Sequence, residues 1–421
     1  MEILFLFVTL FVLISISVPV GFAIGGATIL TMLFFSDLSL VVLAQYSVTG
    51  INSFPMMAIP FFICAGIIMS VGGIARRLVE VAANCVGFMT GGLGAVVGLS
   101  SMFFGALSGS AMATVSAVGS IMIPEMTRKG YDAGYGAAIT ACAGTIGAII
   151  PPSIPLVIYG VVTQTSIGDL FIAGIFPGIL MGIGIIIANY IVCKKDNMPG
   201  SEKKSIKEIL LSFWEAKWAL FTPILILGGI YTGIFTPTEA AVVAIVYAII
   251  VSVFAYKEVT WRSLYGALLE TVCINGITTF LLGLSTGFAA YLSMEQVPTK
   301  LFSLLLNVTD NKYIFLLIVN VALLILGCVI DNIPAAIILS PILLPAMINY
   351  GIDPVHFGIF MTINLMIGLV TPPYGCNLYV ASAVAHIEMD RILKYLWPFF
   401  LSLVVVMLIV TYIPAISMCL L

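Results

Sequence analysis

Long apolar runs separated by short polar segments follow one another along the whole chain. Ten of these runs are long enough to cross a bilayer as a helix, for which about 17–25 residues are needed. The ten predicted spans lie near residues 2–20, 22–40, 54–75, 133–160, 170–192, 220–236, 240–256, 268–292, 355–383 and 395–418. The pattern therefore predicts an all-α polytopic membrane protein.

Two further apolar stretches, 91–126 and 313–347, are interrupted midway, at Gly105–Ser110 and at Gly327–Pro334. Each arm has roughly 14–17 residues, which is short for a span at a rise of about 1.5 Å per residue. We therefore expect two re-entrant hairpins.

The same glycine, proline and aspartate positions recur in both halves of the chain at a constant offset of 221 residues. The offset pairs Pro151-Pro152 with Pro372-Pro373, and it sets Asp331 opposite Ser110. Such doubling is typical of transporters built from internal repeats. The expected parts are a first repeat, a linker and a second repeat, at 1–193, 194–219 and 220–421.

The basic residues predict how the repeats are oriented. With the N-terminus outside, fourteen of the sixteen Lys and Arg residues fall inside and only Lys300 and Lys312 fall outside. This distribution satisfies the positive-inside rule. Because each half has five spans, an odd number, the second repeat enters the membrane inverted. The first hairpin is then the inner one and the second hairpin the outer one.

Composition agrees with a membrane protein and argues against several other classes. The chain is 61% hydrophobic and 8% charged, whereas globular domains are about a quarter charged. Its eight cysteines lie singly, and we find no P-loop, zinc pattern or Ser/His/Asp spacing. We therefore expect neither an enzyme nor a nucleic-acid-binding protein, and no cofactor apart from a coupling ion.

The linker contains an amphipathic helix at 203–218. Its apolar face carries Ile206, Leu210, Phe213, Trp214 and Trp218. This pattern favours a helix lying on the cytoplasmic membrane surface, with a helix for a soluble partner as the alternative. A shorter amphipathic piece is expected at 258–270, and its repeat mate at 37–53.

The Pro-Pro pairs indicate where the chemistry lies. A helix cannot continue through two prolines, so carbonyls near Gly147–Ile150 lose their helical partners at bilayer depth. Such carbonyls must line a cavity or meet an ion. Together with the hydroxyls of the hairpin tip, they suit a hard monovalent cation such as Na⁺. Asp331, a carboxylate at membrane depth, either couples transport to an ion or proton or caps the helix ends of its hairpin.

Five segments carry a resemblance to a known family. They read FFGALSGSAMATVSAVGSIMIPEM (103–126), GTIGAIIPPSIPLVIYG (144–160), YTGIFTPTEAAVVA (231–244), DNIPAAIILSPILLPAM (331–347) and GLVTPPYGCNLYVAS (368–382). With them the chain resembles the large membrane subunit of a tripartite ATP-independent periplasmic (TRAP) transporter, over essentially its whole length.

The resemblance implies an elevator-type fold of the ion transporter superfamily in a bacterial inner membrane. It implies Na⁺-coupled import of an organic acid that a soluble periplasmic binding protein delivers. It also implies a small four-helix membrane subunit as companion, expected as a separate protein because the fused segment of some members is absent here. The leading expectation for the substrate is sialic acid, with C4-dicarboxylates or similar carboxylates as alternatives.

Carried over by position, the resemblance implies two Na⁺ sites and a substrate site. The first Na⁺ site would comprise Ser108, Ser110, Gly147, Ile150 and Pro152. The second would comprise Gly327, Asp331, Asn332, Gly368, Thr371 and Pro373. The substrate candidates are Ser108, Gly109, Thr145, Asn332, Asn364 and Asn377. The alternative hypothesis is a stand-alone ion-coupled antiporter or channel of similar fold that needs no binding protein.

Overall fold

The computed structural model describes residues 2–16, 18–36, 38–195, 200, 203–297, 311–328, 330–372 and 375–421. Within these residues the regular structure is helical and contains no strand. The helices, numbered along the chain, are α1 Glu2–Ser15, α2 Val20–Phe35, α3 Leu40–Ile51, α4 Ala58–Val71, α5 Ile74–Val86, α6 Gly92–Ser108, α7 Ala111–Arg128, α8 Ala133–Gly144, α9 Ile154–Thr163, α10 Ile167–Lys195, α11 Ile206–Glu215, α12 Lys217–Tyr231, α13 Pro237–Ile250, α14 Trp261–Met294, α15 Lys312–Gly327, α16 Asn332–Asn349, α17 Pro354–Gly368, α18 Cys376–Ala385, α19 Met389–Tyr412 and α20 Ala415–Met418. The prediction of an all-α polytopic membrane protein is confirmed.

Several helices have the length and composition of membrane spans. Among the described residues six qualify: Phe54–Val71, Ile167–Lys195, Pro237–Ala255, Trp261–Met294, Asn332–Asn349 and Met389–Tyr412. The pair α11 and α12, bent by 60° between them, would add a seventh. Other predicted spans are present as shorter apolar helices, including α1 and α2. Two of them, 133–160 and 355–383, are each divided into two helices around a break.

Two predicted boundaries are wrong. The amphipathic piece at 258–270 is not a separate helix, because α14 runs unbroken for 34 residues. The hydroxyl of Thr260 begins α14 by accepting a hydrogen bond from the backbone N–H of Ser263 at 3.3 Å. The amphipathic helix at 203–218 is also shorter than expected, since α11 ends at Glu215 and the chain then bends into α12.

The two hairpins end in the same turn. Gly130 and Gly351 follow α7 and α16 with φ values of +90° and +66°, which a side chain rarely tolerates. The residue after each glycine donates its N–H to the carbonyl five residues earlier, at 3.0 and 2.9 Å. Asp132 and Asp353 then cap the next helices, each accepting an N–H two residues on at 2.7 Å. The 221-residue offset is therefore also a repeat of geometry.

Buried apolar side chains form two clusters. The smaller cluster joins α1, α2, α3 and the C-terminal end of α14, and Ile338 and Ile342 of α16 reach into it. The larger cluster contains both hairpins, the two broken spans, α10 and α19. The broken spans thus lie within the larger cluster, whereas α1 and α2 pack in the smaller one.

Candidate functional site

The tip of the first hairpin is a tight turn held by hydroxyl groups. Gly109, at φ +61°, joins α6 to α7. The side chain of Ser110 caps α7 by accepting the N–H of Ala113 at 3.4 Å. The hydroxyl of Thr114 donates to the carbonyl of Ser110 at 2.8 Å and lies 3.2 Å from the hydroxyl of Ser108. Two of the predicted Na⁺ ligands therefore lie on this one turn.

This tip is fastened to the first broken span. The carbonyl of Gly109 accepts the N–H of Ile154, the first residue of α9, at 3.1 Å. A Cβ on Gly109 would lie 2.6 Å from the carbonyl oxygen of Pro152. A Cβ on Gly105 would lie 2.7 Å from the Cα of Gly147. The glycines allow the hairpin and the break to touch backbone to backbone.

The second half of the chain makes an equivalent contact between hairpin and break, shifted by one residue relative to the 221-residue offset. A Cβ on Gly368 would lie 2.5 Å from the carbonyl of Gly327. Gly368 is the offset mate of Gly147, whereas Gly327 lies 222 residues after Gly105. Asp331, the mate of Ser110, also caps its helix, because its carboxylate accepts the N–H of Asn332 at 2.8 Å. The capping role considered for Asp331 is thus present in the structure.

The breaks satisfy part of their own polar backbone. In the first, the hydroxyl of Ser153 donates to the carbonyl of Ala148 at 2.5 Å and also caps α9. In the second, the N–H of Asn377 donates to the carbonyl of Leu369 at 3.0 Å. The amide of Asn377 also donates to the carbonyl of Ala141 in α8 at 3.1 Å. This bond joins the two broken spans across the repeats.

A cavity of about 460 Å³ lies where the two hairpin tips meet α4 and α14. Both breaks also reach it, through Ala148 and Leu369. Four elements contribute its polar lining groups. They are Ser108, Ser110 and Ser116 of the first hairpin, Asn332 of the second hairpin, Ser70 of α4, and Glu270 and Thr278 of α14. The side-chain oxygen Oδ1 of Asn332 is buried and has no hydrogen-bond partner among the described residues.

The structure brings together only some of the predicted site residues. Four of them line the cavity: Ser108, Gly109, Ser110 and Asn332. The others that the structure describes are not among its lining residues, and they are Gly147, Ile150, Pro152, Gly327, Asp331, Gly368, Thr371, Thr145, Asn364 and Asn377. Pro373 lies outside the described residues. The assignment of these residues to ion sites remains a prediction.

Two of the substrate candidates are held in hydrogen bonds away from the cavity. The hydroxyl of Thr145 donates to the carbonyl of Cys142 at 2.6 Å. The amide of Asn364 donates to the side chain of Asn320 at 2.7 Å, within a fully buried region. The Thr145 bond lies within one helical turn, whereas the Asn364 bond joins α17 to α15. The side-chain oxygen of Asn364 has no hydrogen-bond partner among the described residues.

Sequence reasoning missed the wall that α14 contributes. Glu270, Ile274 and Thr278 are spaced by four residues, so they share one face of the helix. All three residues fall within the predicted span 268–292, but the sequence does not show which face of that span meets the hairpins. Only the unbroken helix reveals that a carboxylate belongs to the cavity.

An ion pair joins the two repeats outside the cavity. The guanidinium of Arg391, near the start of α19, binds Asp132 at the start of α8 with N···O distances of 2.9 and 3.1 Å. These hydrogen bonds hold the pKa of the Asp132 carboxyl below its usual value. The pair therefore ties the first broken span to the last long helix.

Comparison with known proteins identifies the family. Residues 7–416 match the model of the tripartite ATP-independent periplasmic transporter, DctM component. The C4-dicarboxylate TRAP transporter large permease protein DctM of Pseudomonas aeruginosa is 43% identical over 420 residues, which cover 100% of this chain and 98% of that protein. The sialic acid TRAP transporter large permease protein SiaM of Vibrio cholerae is 37% identical over 402 residues, 96% of this chain and 94% of the other.

A longer relative and a solved structure extend the comparison. The isethionate TRAP transporter permease protein DctMQ of Oleidesulfovibrio alaskensis is 43% identical over 99% of this chain, which spans 66% of that protein. The YdaH transporter of Alcanivorax borkumensis shares the fold, with a TM-score of 0.67, 15% identity and 88% of each chain covered. Because the family model spans nearly the whole sequence, the chain belongs to the DctM component family of tripartite ATP-independent periplasmic transporters.

Proposed function

We propose that this chain imports an organic anion across the bacterial inner membrane, driven by Na⁺, with the N-terminus in the periplasm. The observation that carries the proposal is the cavity at which both hairpin tips meet. The helices that follow the two tips, α7 and α16, both begin at its wall, with Ala111 and Asn332 among the lining residues. A helix N-terminus carries partial positive charge and N–H groups, which favour an anion. This holds for α7, whose cap Ser110 is neutral, whereas the N-terminus of α16 is already capped by the Asp331 carboxylate.

The cation in this mechanism is held by neutral oxygens together with the carboxylate of Asp331. The unpartnered Oδ1 of Asn332 is a buried acceptor at the cavity, and leaving such a group unpaired costs about 1–3 kcal/mol. A Na⁺ ion between the hairpin tip and the break in each repeat would satisfy acceptors of this kind. The ligands come from the two sets predicted from the sequence, centred on Ser108 and Ser110 in one repeat and on Asp331 and Asn332 in the other.

The moving part consists of the hairpins and the broken spans. Each hairpin touches its break backbone to backbone, at Gly105 and Gly147 in one repeat and at Gly327 and Gly368 in the other. Asn377 joins the two breaks. Elements in such contact move together, which supports an elevator in which this unit slides along α4 and α14.

Family membership supports the partners of the tripartite arrangement, a small membrane permease and a periplasmic binding protein. Relatives are named for C4-dicarboxylate, sialic acid and isethionate. All three are organic anions, so the substrate of this chain belongs to that class, and sialic acid remains the leading candidate. The stand-alone antiporter is less well supported, because the whole chain matches a component of tripartite systems.

Uptake into proteoliposomes tests the coupling. We expect the chain, with its companion subunit and binding protein, to take up a labelled organic anion only with an inward Na⁺ gradient. Asp331→Asn keeps an N-cap residue but removes the charge, and we expect it to fold normally and to need more Na⁺ for half-maximal uptake. Ser120→Ala, which removes a hydroxyl elsewhere on α7, is the control. Uptake that persists when the Na⁺ gradient is collapsed would contradict the proposal.

A further inference from the structure

The cavity is electrically asymmetric. Among its lining residues, Glu270 is the only one with a formal charge, and it lies on α14 rather than on a hairpin. Among the described residues no Lys or Arg forms a salt bridge with it. One wall therefore carries a carboxylate without an ion-pair partner among the described residues, while the hairpin wall carries the partly positive N-terminus of α7. The N-terminus of α16 on the same wall is already capped by the Asp331 carboxylate.

The cavity runs along one face of α14. Glu270 and Thr278 are eight residues apart on one helix face, which corresponds to about 12 Å at the α-helical rise. An anion bound at the helix N-termini extends the rest of its body along this face. A second anionic group on that body would approach Glu270, whose side chain is exposed in this structure, and like charges repel each other there, although less than at a buried site. Hydroxyl or amino groups would instead donate hydrogen bonds to the carboxylate.

We propose that Glu270 determines substrate specificity by rejecting dianions and selecting monoanions that carry hydroxyl or amino groups at their far end. This inference rests on the proposed function, because it assumes that the cavity binds the transported anion. It narrows the substrate class from organic anions in general to hydroxylated or amino-bearing monoanions. Thr278, on the same face, adds a neutral hydroxyl that suits such a ligand.

The test measures binding at the cavity directly, so that the selectivity of the binding protein does not enter. Met112 lines the cavity and is 38% exposed. In the Met112→Cys chain, reconstituted with its companion subunit in Na⁺, the rate of maleimide labelling at position 112 is followed by peptide mass spectrometry. The probes are two monoanions, N-acetylneuraminate and isethionate, and one dianion, succinate, all at pH 7.5.

We expect at least one monoanion to protect position 112 at a concentration about tenfold lower than succinate does. In Glu270→Gln, the monoanion and succinate should protect position 112 at similar concentrations. Glu270→Asp should keep the preference for the monoanion. Glu215→Gln, which removes the same charge from an exposed site outside the cavity, should change nothing.

Each other outcome overturns a distinct statement. The role of Glu270 would be refuted if succinate protected position 112 at the same concentration as the monoanions. It would also be refuted if the preference for a monoanion survived Glu270→Gln. Either result would leave an anion site in place. Protection by none of the three anions in any variant would refute the anion site itself, and with it both the proposed function and this inference.

Discussion

At the scale of single residues, glycines decide how closely the functional parts approach. Gly368 and Gly327 meet with no room for a methyl group, and overpacking of this kind costs about 1–3 kcal/mol. We expect Gly368→Ala to lower the thermal unfolding midpoint of the purified protein and to abolish uptake. A Cβ on Gly276 of α14 would have no other atom within 4 Å, so Gly276→Ala is the matched control. Equal midpoints for the two variants would show that the two backbones have room for a methyl group after all.

Residue types also explain what the sequence could reveal about the site. Ser108, Ser110 and Asn332 were predictable because each lies within an interruption of an apolar run that begins with a glycine. Glu270 was not, since its relevance depends on which face of α14 meets the hairpins. That face is set by tertiary packing, which periodicity within one element does not specify.

At the scale of elements, the positions at which helices break were more predictable from the sequence than the continuity of a long helix. Pro-Pro pairs and glycine-rich turns end helices for local steric reasons, so the turns of both hairpins and the division of both broken spans follow from the sequence. That the hairpins are re-entrant stays a prediction, and the arm Asn332–Asn349 is long enough to be a span. The continuity of α14 does not follow from the sequence, because charged residues near the start of this helix suggested a membrane boundary. Tertiary contacts and a Thr260 cap carry the helix through that region.

The contact between α8 and α19 is sensitive to pH. Arg391 lowers the pKa of Asp132 in the folded protein, so the pair stabilises the fold above the unfolded pKa of about 3.9. This contribution is lost as the pH falls through the lower, folded pKa. We expect Asp132→Asn to reduce the unfolding midpoint at pH 7 and to approach the wild type as the pH falls through the lowered pKa of Asp132.

Asp353→Asn is the control for this prediction, because Asp353 is the repeat mate of Asp132 and also caps a helix. Among the described residues it forms no salt bridge. A midpoint difference for Asp132→Asn that stays constant from pH 7 to pH 3 would mean that the ion pair adds no stability.

At the scale of the whole molecule, the repeated turn offers a test of inverted topology. Lys129 and Tyr350 are repeat mates that precede the positive-φ glycines. If the repeats are inverted, they lie on opposite sides of the membrane. We expect an impermeant maleimide added to intact spheroplasts to label Tyr350→Cys and to label Lys129→Cys only after permeabilisation. Labelling of both variants in intact spheroplasts would contradict the inversion.

The length of α14 ties the binding cavity to the membrane itself. At 34 residues the helix is about 51 Å long, whereas the hydrocarbon core is about 30 Å thick. Even at the average helix tilt of about 20° it extends well beyond that core. A thinner or thicker bilayer changes its tilt, and with it the height of Glu270 relative to the hairpin tips. If Glu270 sets the selectivity as proposed, we expect lipid composition to affect which anions this protein accepts.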